Sequence, residues 1–296
     1  MDLFVDRVID GINNGVIYGF LALALVCVYR STKHLNLAQG EMAMFCAFIA
    51  YAFTKIGVPV VLAIVLAVAA GAVIGGAVER VLVRPLGAGA DYSILLVGIG
   101  LFLSLNALAG MIWGGDPLAF PNVLPSAPDD YVAVFGGRLR YQQLLTMALL
   151  AAILAGVLAL FKYTKLGLAM RTATSNPESA RLLGIRVNRI NSLGWMIAAA
   201  IGGLLGPLVA PGTTLTTFMM FNFLIYASAA ATLGGFDSPG GAVLAGLIIG
   251  VLESLVGGYV SIIGSDLKLA VALLLLVVVL MVKPSGLFGS KQVERV

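Results

Sequence analysis

Charge is what this chain has least of. Only 11% of its 296 residues are Asp, Glu, Lys or Arg, where a soluble domain carries roughly 25%. No hydrophilic stretch is long enough to build a soluble domain beside the apolar ones. Cysteine is almost missing. Cys27 and Cys46 both sit in apolar runs and form no CxxC pair, which excludes a disulfide framework and leaves them as small buried hydrophobes. His34 is the one histidine, and one His with two cysteines at lipid depth cannot by itself build a zinc or iron centre. No G-x-x-x-x-G-K-[ST] segment occurs, so the chain cannot hold ATP in a phosphate-binding loop. The start, Met1-Asp2-Leu3-Phe4, lacks the basic region and cleavage site of a secretory signal, so the first apolar segment is expected to stay as a membrane helix.

What the chain does have is apolar sequence: 60% of residues are hydrophobic and the mean hydropathy is +1.04. Such a composition exposes more apolar surface than water tolerates, and lipid is its natural solvent. Apolar stretches recur at about 11–29, 39–54, 58–79, 93–113, 142–161, 193–210, 220–234, 241–263 and 267–283. A crossing needs about 20 residues, so the stretches 39–54 and 220–234 are short. Gly40, Gly234 and Gly235 mark their ends, the pattern of broken or re-entrant segments that line a pathway. The expected fold is an all-α polytopic bundle of about 8–9 membrane segments forming one domain over 1–296.

Orientation follows from the basic residues, which concentrate in cytoplasmic loops. With the N-terminus outside and nine crossings, thirteen of the 18 Lys and Arg fall inside and five outside. This placement also explains the net charge of +4 without nucleic acid, because the cations sit in short loops rather than on one helix face. Small residues four apart, at Gly11-Gly15-Gly19, Gly71-Gly75, Gly202-Gly206 and Ala242-Gly246-Gly250, read as seams where helix backbones approach closely. Trp113 and Trp195 stand near segment ends, as interfacial anchors do. The outer stretch 114–140 carries Pro117, Pro121, Pro125 and Pro128 with Asp116, Asp129 and Asp130. Its prolines keep it from being helical throughout; it is either a platform for an external partner or a cover for helix ends.

The inner stretch 162–190 is too polar to cross the membrane. Helix-start signals meet at its centre. Asn176 can cap with Pro177 at the first helical position, or Ser175 can cap with Glu178 returning the hydrogen bond. Ala180 and Leu183 share a face and Gly184 is a stop signal. The outcome is a short amphipathic helix ringed by arginines such as Arg181, suited to docking something cytoplasmic. Glu178-Ser179-Ala180 followed by Gly184 resembles the start of the Glu-Ala-Ala-x-x-x-Gly loop of ABC importer permeases, although the Ile-x-Leu-Pro part is absent. Together with Leu35-Asn36-Leu37-Ala38-Gln39-Gly40-Glu41 and Leu233-Gly234-Gly235-Phe236-Asp237-Ser238-Pro239-Gly240-Gly241-Ala242, it is similar to LivH-type permeases of branched-chain amino acid ABC transporters. Gln39 stands where that family often has His.

The resemblance implies a non-enzymatic permease of the bacterial inner membrane, without cofactors. It implies cytoplasmic ABC ATPase subunits gripping Asn176, Pro177, Glu178, Ala180, Arg181 and Gly184, a second, LivM-like permease, and a periplasmic or lipid-anchored substrate-binding protein. Amino acids with branched side chains are the expected cargo, with urea and short amides as the alternative within the family. Asn36, Gln39, Gly40, Glu41 and Glu253 are the candidates for the pathway or for helix packing. A lipid-facing Glu253 would cost about 2–3 kcal/mol, which favours a cavity or partner. Glu41 caps a loop or lines the pathway. Glu79, beside Arg80, is expected at the interface. Asn13, Asn14, Asn106 and Asn222 suit interhelical hydrogen bonds. Thr213, Thr214, Thr216 and Thr217 either meet a ligand or cap a helix, and Gly234 to Gly241 read as a tight helical hairpin. An ion-coupled carrier could use Glu41 and Glu253 as coupling carboxylates, but it has no need of the arginine-ringed helix. An intramembrane hydrolase would need a Ser–His or paired-Asp arrangement that the sequence lacks.

Overall fold

The computed structural model describes residues 2–86, 91–125, 130–134, 137–259, 268–283 and 286–289. Eleven α-helices and one hairpin are found among them: α1 (Asp2–Thr32), α2 (Gln39–Lys55), α3 (Val60–Val78), α4 (Asp91–Trp113), β1 (Tyr131–Val134), β2 (Gly137–Arg140), α5 (Tyr141–Tyr163), α6 (Lys165–Ser175), α7 (Pro177–Leu182), α8 (Val187–Thr213), α9 (Phe221–Gly234), α10 (Pro239–Tyr259) and α11 (Lys268–Val282). Six helices are long and apolar enough to cross a membrane: α1, α4, α5, α8, α10, and α3 with the turns that carry it to Leu86. α9 and the apolar part of α11 are shorter. At 1.5 Å per residue the 17 residues of α2 reach about 25 Å, less than the hydrocarbon thickness of about 30 Å.

The chain divides into two compact units. One comprises Met1–Val26, Leu124–Ala155 and Ile225–Val296. Here the two glycine seams expected for packing meet each other. A Cβ on Gly15 would fall 2.7 Å from the Leu247 Cα and 2.9 Å from the Gly246 carbonyl oxygen, and a Cβ on Gly246 would fall 2.7 Å from the Gly19 nitrogen. α1 and α10 therefore touch backbone to backbone, the contact that binds helices where lipid offers no hydrophobic drive. Tyr18 stacks on Tyr226 with centroids 4.7 Å apart, and its hydroxyl donates to Glu253. Ser238 Oγ caps α10 by accepting from the Gly241 N–H at 3.1 Å. Gly235, at φ 92°, turns the chain between α9 and α10, and Leu287 N–H donates to the Leu233 carbonyl at 2.7 Å. The strands β1 and β2 pair antiparallel with Tyr131 opposite Arg140. This hairpin lies within the outer stretch, whose Pro128 and Asp129 fall outside the described residues.

The other unit comprises Cys27–Val123 and Gly156–Leu224. Its centre is α8, against which α2 and α3 lie. A Cβ on Gly71 of α3 would stand 2.6 Å from the Ala199 carbonyl oxygen, and one on Gly75 would stand 2.6 Å from the Ala199 Cβ. Gly203 of α8 answers with 2.9 Å to the Ala67 carbonyl oxygen. Met42, Leu105 and Ala199 form a buried cluster joined by Phe45, Ile74 and Leu101. Trp113 packs on Phe45 and Phe48, 5.5 and 5.2 Å between centroids. Trp195 differs from expectation: it is 3% exposed, enclosed by protein rather than presented to headgroups, because the glycines of α3 let its helix approach so closely.

Candidate functional site

The stretch expected to hold one short helix holds two. Thr164 caps α6, its hydroxyl accepting from the Gly167 N–H at 3.1 Å. Asn176 then serves both helices. It is extended (φ −149°, ψ 97°), as the residue before a proline prefers. Its N–H closes α6 onto the Thr172 carbonyl at 3.1 Å, and its Oδ1 opens α7 by accepting from Ser179 N–H at 2.9 Å. Pro177 occupies the first turn of α7, where a missing N–H costs nothing. At the far end Gly184 adopts φ +80°. Ile185 N–H reaches back to Ala180 O and Gly184 N–H to Arg181 O, both at 3.0 Å, the paired bonds of a Schellman stop.

Of the six residues expected to form the docking helix, Ala180 faces inward and is fully buried, while Asn176, Pro177, Glu178, Arg181 and Gly184 are exposed. Leu182 and Leu183 are 90% and 75% exposed. The product is a rigid knob, stopped at both ends, with an apolar tip and a charged flank.

The candidates at the start of α2 are buried and already occupied. Asn36, Gln39 and Glu41 are at most 1% exposed. Asn36 Nδ2 donates to Gln39 Oε1 at 3.0 Å, its Oδ1 accepts from Ala38 N–H at 3.1 Å, and Gln39 Nε2 donates to the Ala198 carbonyl of α8 at 2.9 Å. Asn106 of α4 donates to Glu41 at 3.3 Å and to the Thr217 carbonyl at 2.7 Å. Gly40 lies against Leu224 and Met220. These bonds hold α2 to α8 and α4, so the arrangement fixes helices. Glu253 lies in the first unit with Tyr18 as its hydrogen-bond donor.

One cluster escaped the sequence reading. Glu79, expected at the interface, is 2% exposed. Its partner is Arg84 rather than Arg80: Arg84 Nη2 donates to Glu79 Oε2 at 2.7 Å and Nε to Oε1 at 3.3 Å. The Ser192 hydroxyl of α8 also donates to Glu79, and Arg84 Nη2 reaches the Asn188 carbonyl at 3.3 Å. The cause is a π-helical turn at Glu79–Val83, in which the Arg84 N–H bonds to the Glu79 carbonyl and so links residues five apart. The cluster binds the end of α3 to the beginning of α8, a few residues beyond α7. Among the described residues no group of three His, Cys, Asp or Glu side chains gathers as metal ligands would.

Comparison with known proteins agrees along the whole chain. It is 28% identical to the high-affinity branched-chain amino acid transport system permease protein LivH of Salmonella typhimurium, over 99% of this chain and 98% of that protein. It is also 28% identical to the corresponding BraD protein of Pseudomonas aeruginosa, over the same shares. Among solved structures, PsaBC from Streptococcus pneumoniae in complex with a Fab shares the fold with a TM-score of 0.51 at 15% identity, covering 93% of this chain and 91% of that one. The family model for the permease component of the branched-chain amino acid transport system matches residues 7–280, so the chain belongs to that family and is a LivH-type, multi-pass inner-membrane permease.

Proposed function

We propose that this chain is the translocating subunit of an ABC importer for branched-chain amino acids, moved between outward- and inward-facing states by separate ATPases acting on α7. The observation that carries the reading is the doubly stopped α7 with Leu182 and Leu183 exposed at its end. A helix held at its start by the Asn176 side chain and at its end by backbone bonds transmits a push instead of fraying under it. What the relatives are named for supplies the cargo: LivH and BraD are both branched-chain amino acid permeases. In this reading the N-terminus is outside, α6 and α7 are cytoplasmic, and a second, LivM-like permease completes the membrane part. A periplasmic or lipid-anchored binding protein delivers the ligand.

The deciding experiment is uptake of radiolabelled leucine in cells lacking and then regaining this chain, each with and without the ATPase. Uptake that needs both supports the importer. Uptake by the chain alone would overturn it and return Glu41 and Glu253 to the role of coupling carboxylates. Gly184→Glu strains the stop and places a charge beside the leucines, and it is expected to abolish ATP-driven uptake while membrane insertion persists.

A further inference from the structure

The short helix α9 starts at the middle of a membrane-crossing helix rather than at its end. α4 spans Asp91–Trp113 and is long and apolar enough to cross. Phe102 is its midpoint, about 16 Å from either end at 1.5 Å per residue. Phe221, the first residue of α9, packs edge-on against Phe102 with centroids 6.0 Å apart. The chain descends to that level from the end of α4 that the importer topology puts outside. Leu215 pairs with Leu118, just beyond α4, and the Thr217 carbonyl then accepts from Asn106, partway down the helix, at 2.7 Å. Residues 214–220 therefore carry non-helical backbone from one end of α4 to its middle.

Such backbone at membrane depth is tolerated only where protein buries it or where it lines a water-filled cavity. This chain leaves it open. Phe218 and Phe221 are 64% and 43% exposed, and Asn222, in the first turn of α9, is exposed with them. Toward the outer end Thr213 and Thr214 are exposed and Thr216 and Thr217 half-buried, so a polar stripe leads down to the Asn222 amide. The start of α2, the other short helix, is sealed by comparison: Gly40 lies against Met220 and Leu224, and Asn36, Gln39 and Glu41 are buried. Lipid would leave the exposed amide without a partner, and the core of a subunit contact is more apolar than this stripe. We infer that residues 213–222 form part of the wall along which the imported amino acid crosses, an assignment that rests on the importer reading. Amide and hydroxyl groups can donate to a carboxylate and accept from an ammonium. Having no fixed charge, they bind weakly enough to let the ligand move on, as conduction requires. Phe218 and Phe221 offer its aliphatic side chain an apolar surface.

The test is thiol accessibility in the complete importer reconstituted in liposomes. Cys27 and Cys46 are buried, so wild type supplies the background. Asn222→Cys, Phe218→Cys and Leu103→Cys are treated with a small charged methanethiosulfonate, and modification of this chain is read by mass. The reagent attacks hydrated thiols and spares those in lipid or in a dry subunit contact. Leu103, 61% exposed and next to Phe102, is the control at the same depth. Asn222→Cys and Phe218→Cys are expected to react at least tenfold faster than Leu103→Cys, and modifying Asn222→Cys should lower ATP-driven leucine uptake at least fivefold. If both thiols react as slowly as the control, or if modified Asn222→Cys carries leucine at its unmodified rate, the wall is overturned. Wild-type uptake with the binding protein added is read separately. Uptake with unreactive thiols sinks the wall alone; reactive thiols without wild-type uptake leave a water-lined wall and sink the importer reading.

Discussion

At the scale of single residues, glycine and paired charge decide stability. Gly71 meets a carbonyl oxygen that cannot yield, 2.6 Å from where a Cβ would sit, whereas Gly100 of α4 has nothing within 4 Å. Gly71→Ala should therefore cost about 1–3 kcal/mol, and Gly100→Ala should be neutral or stabilise by up to about 1 kcal/mol through helix propensity. Thermal unfolding in detergent distinguishes the two, and equal shifts would refute the close approach of α3 to α8. Glu79 and Arg84 allow a second comparison. Arg84→Met strands a carboxylate that is 2% exposed, a loss of about 3 kcal/mol, at the low end for a broken buried pair because Arg84 is itself 30% exposed. Adding Glu79→Gln removes the stranded charge and should recover at least about 1 kcal/mol. If the double variant is as unstable as the sum of the singles, the pair is not coupled.

At the scale of elements, the α6–α7 junction depends on one side chain. Asn176→Ala should cost α7 about 1 kcal/mol, which speeds hydrogen exchange at the Ser179 amide about fivefold and leaves α8 unchanged. Unaltered exchange at Ser179 would mean that the cap does not hold the helix. The stop of α7 was legible because Gly184 has a backbone preference that acts locally; its cap was legible only as two alternatives, Asn176 with Pro177 or Ser175 with Glu178, and the structure takes the first. The long helices were legible because a run of about 20 apolar residues has few alternatives. α6 was not: it is short and amphipathic, and its capping Thr164 directly follows the apolar α5. Nor was the hairpin at Tyr131–Arg140, eight residues of strand within a proline-spaced stretch. The Glu79–Arg84 pair was hidden by its spacing. On an α-helix, side chains three or four apart meet, and only the π-turn brings residues five apart together.

At the scale of the whole molecule, the orientation expected from the basic loops can be read with thiols. Cys27 and Cys46 are buried, so the native chain offers little background to a membrane-impermeant maleimide. Glu178→Cys should label only from the cytoplasmic side and Asp116→Cys only from outside. The opposite pattern would reverse the topology and remove α7 from the reach of any ATPase.

The mated glycines of α1 and α10 have a consequence for how this protein can change over generations. In most packed interfaces a residue that grows on one side can be accommodated by one that shrinks on the other. Where Gly15 faces Gly246 and Leu247 through main-chain atoms, there is nothing left to shrink. A bulkier residue there has no local suppressor. Recovery would have to come from distant changes that let the two helices stand farther apart, so these positions are closed to the stepwise exchange by which ordinary cores drift.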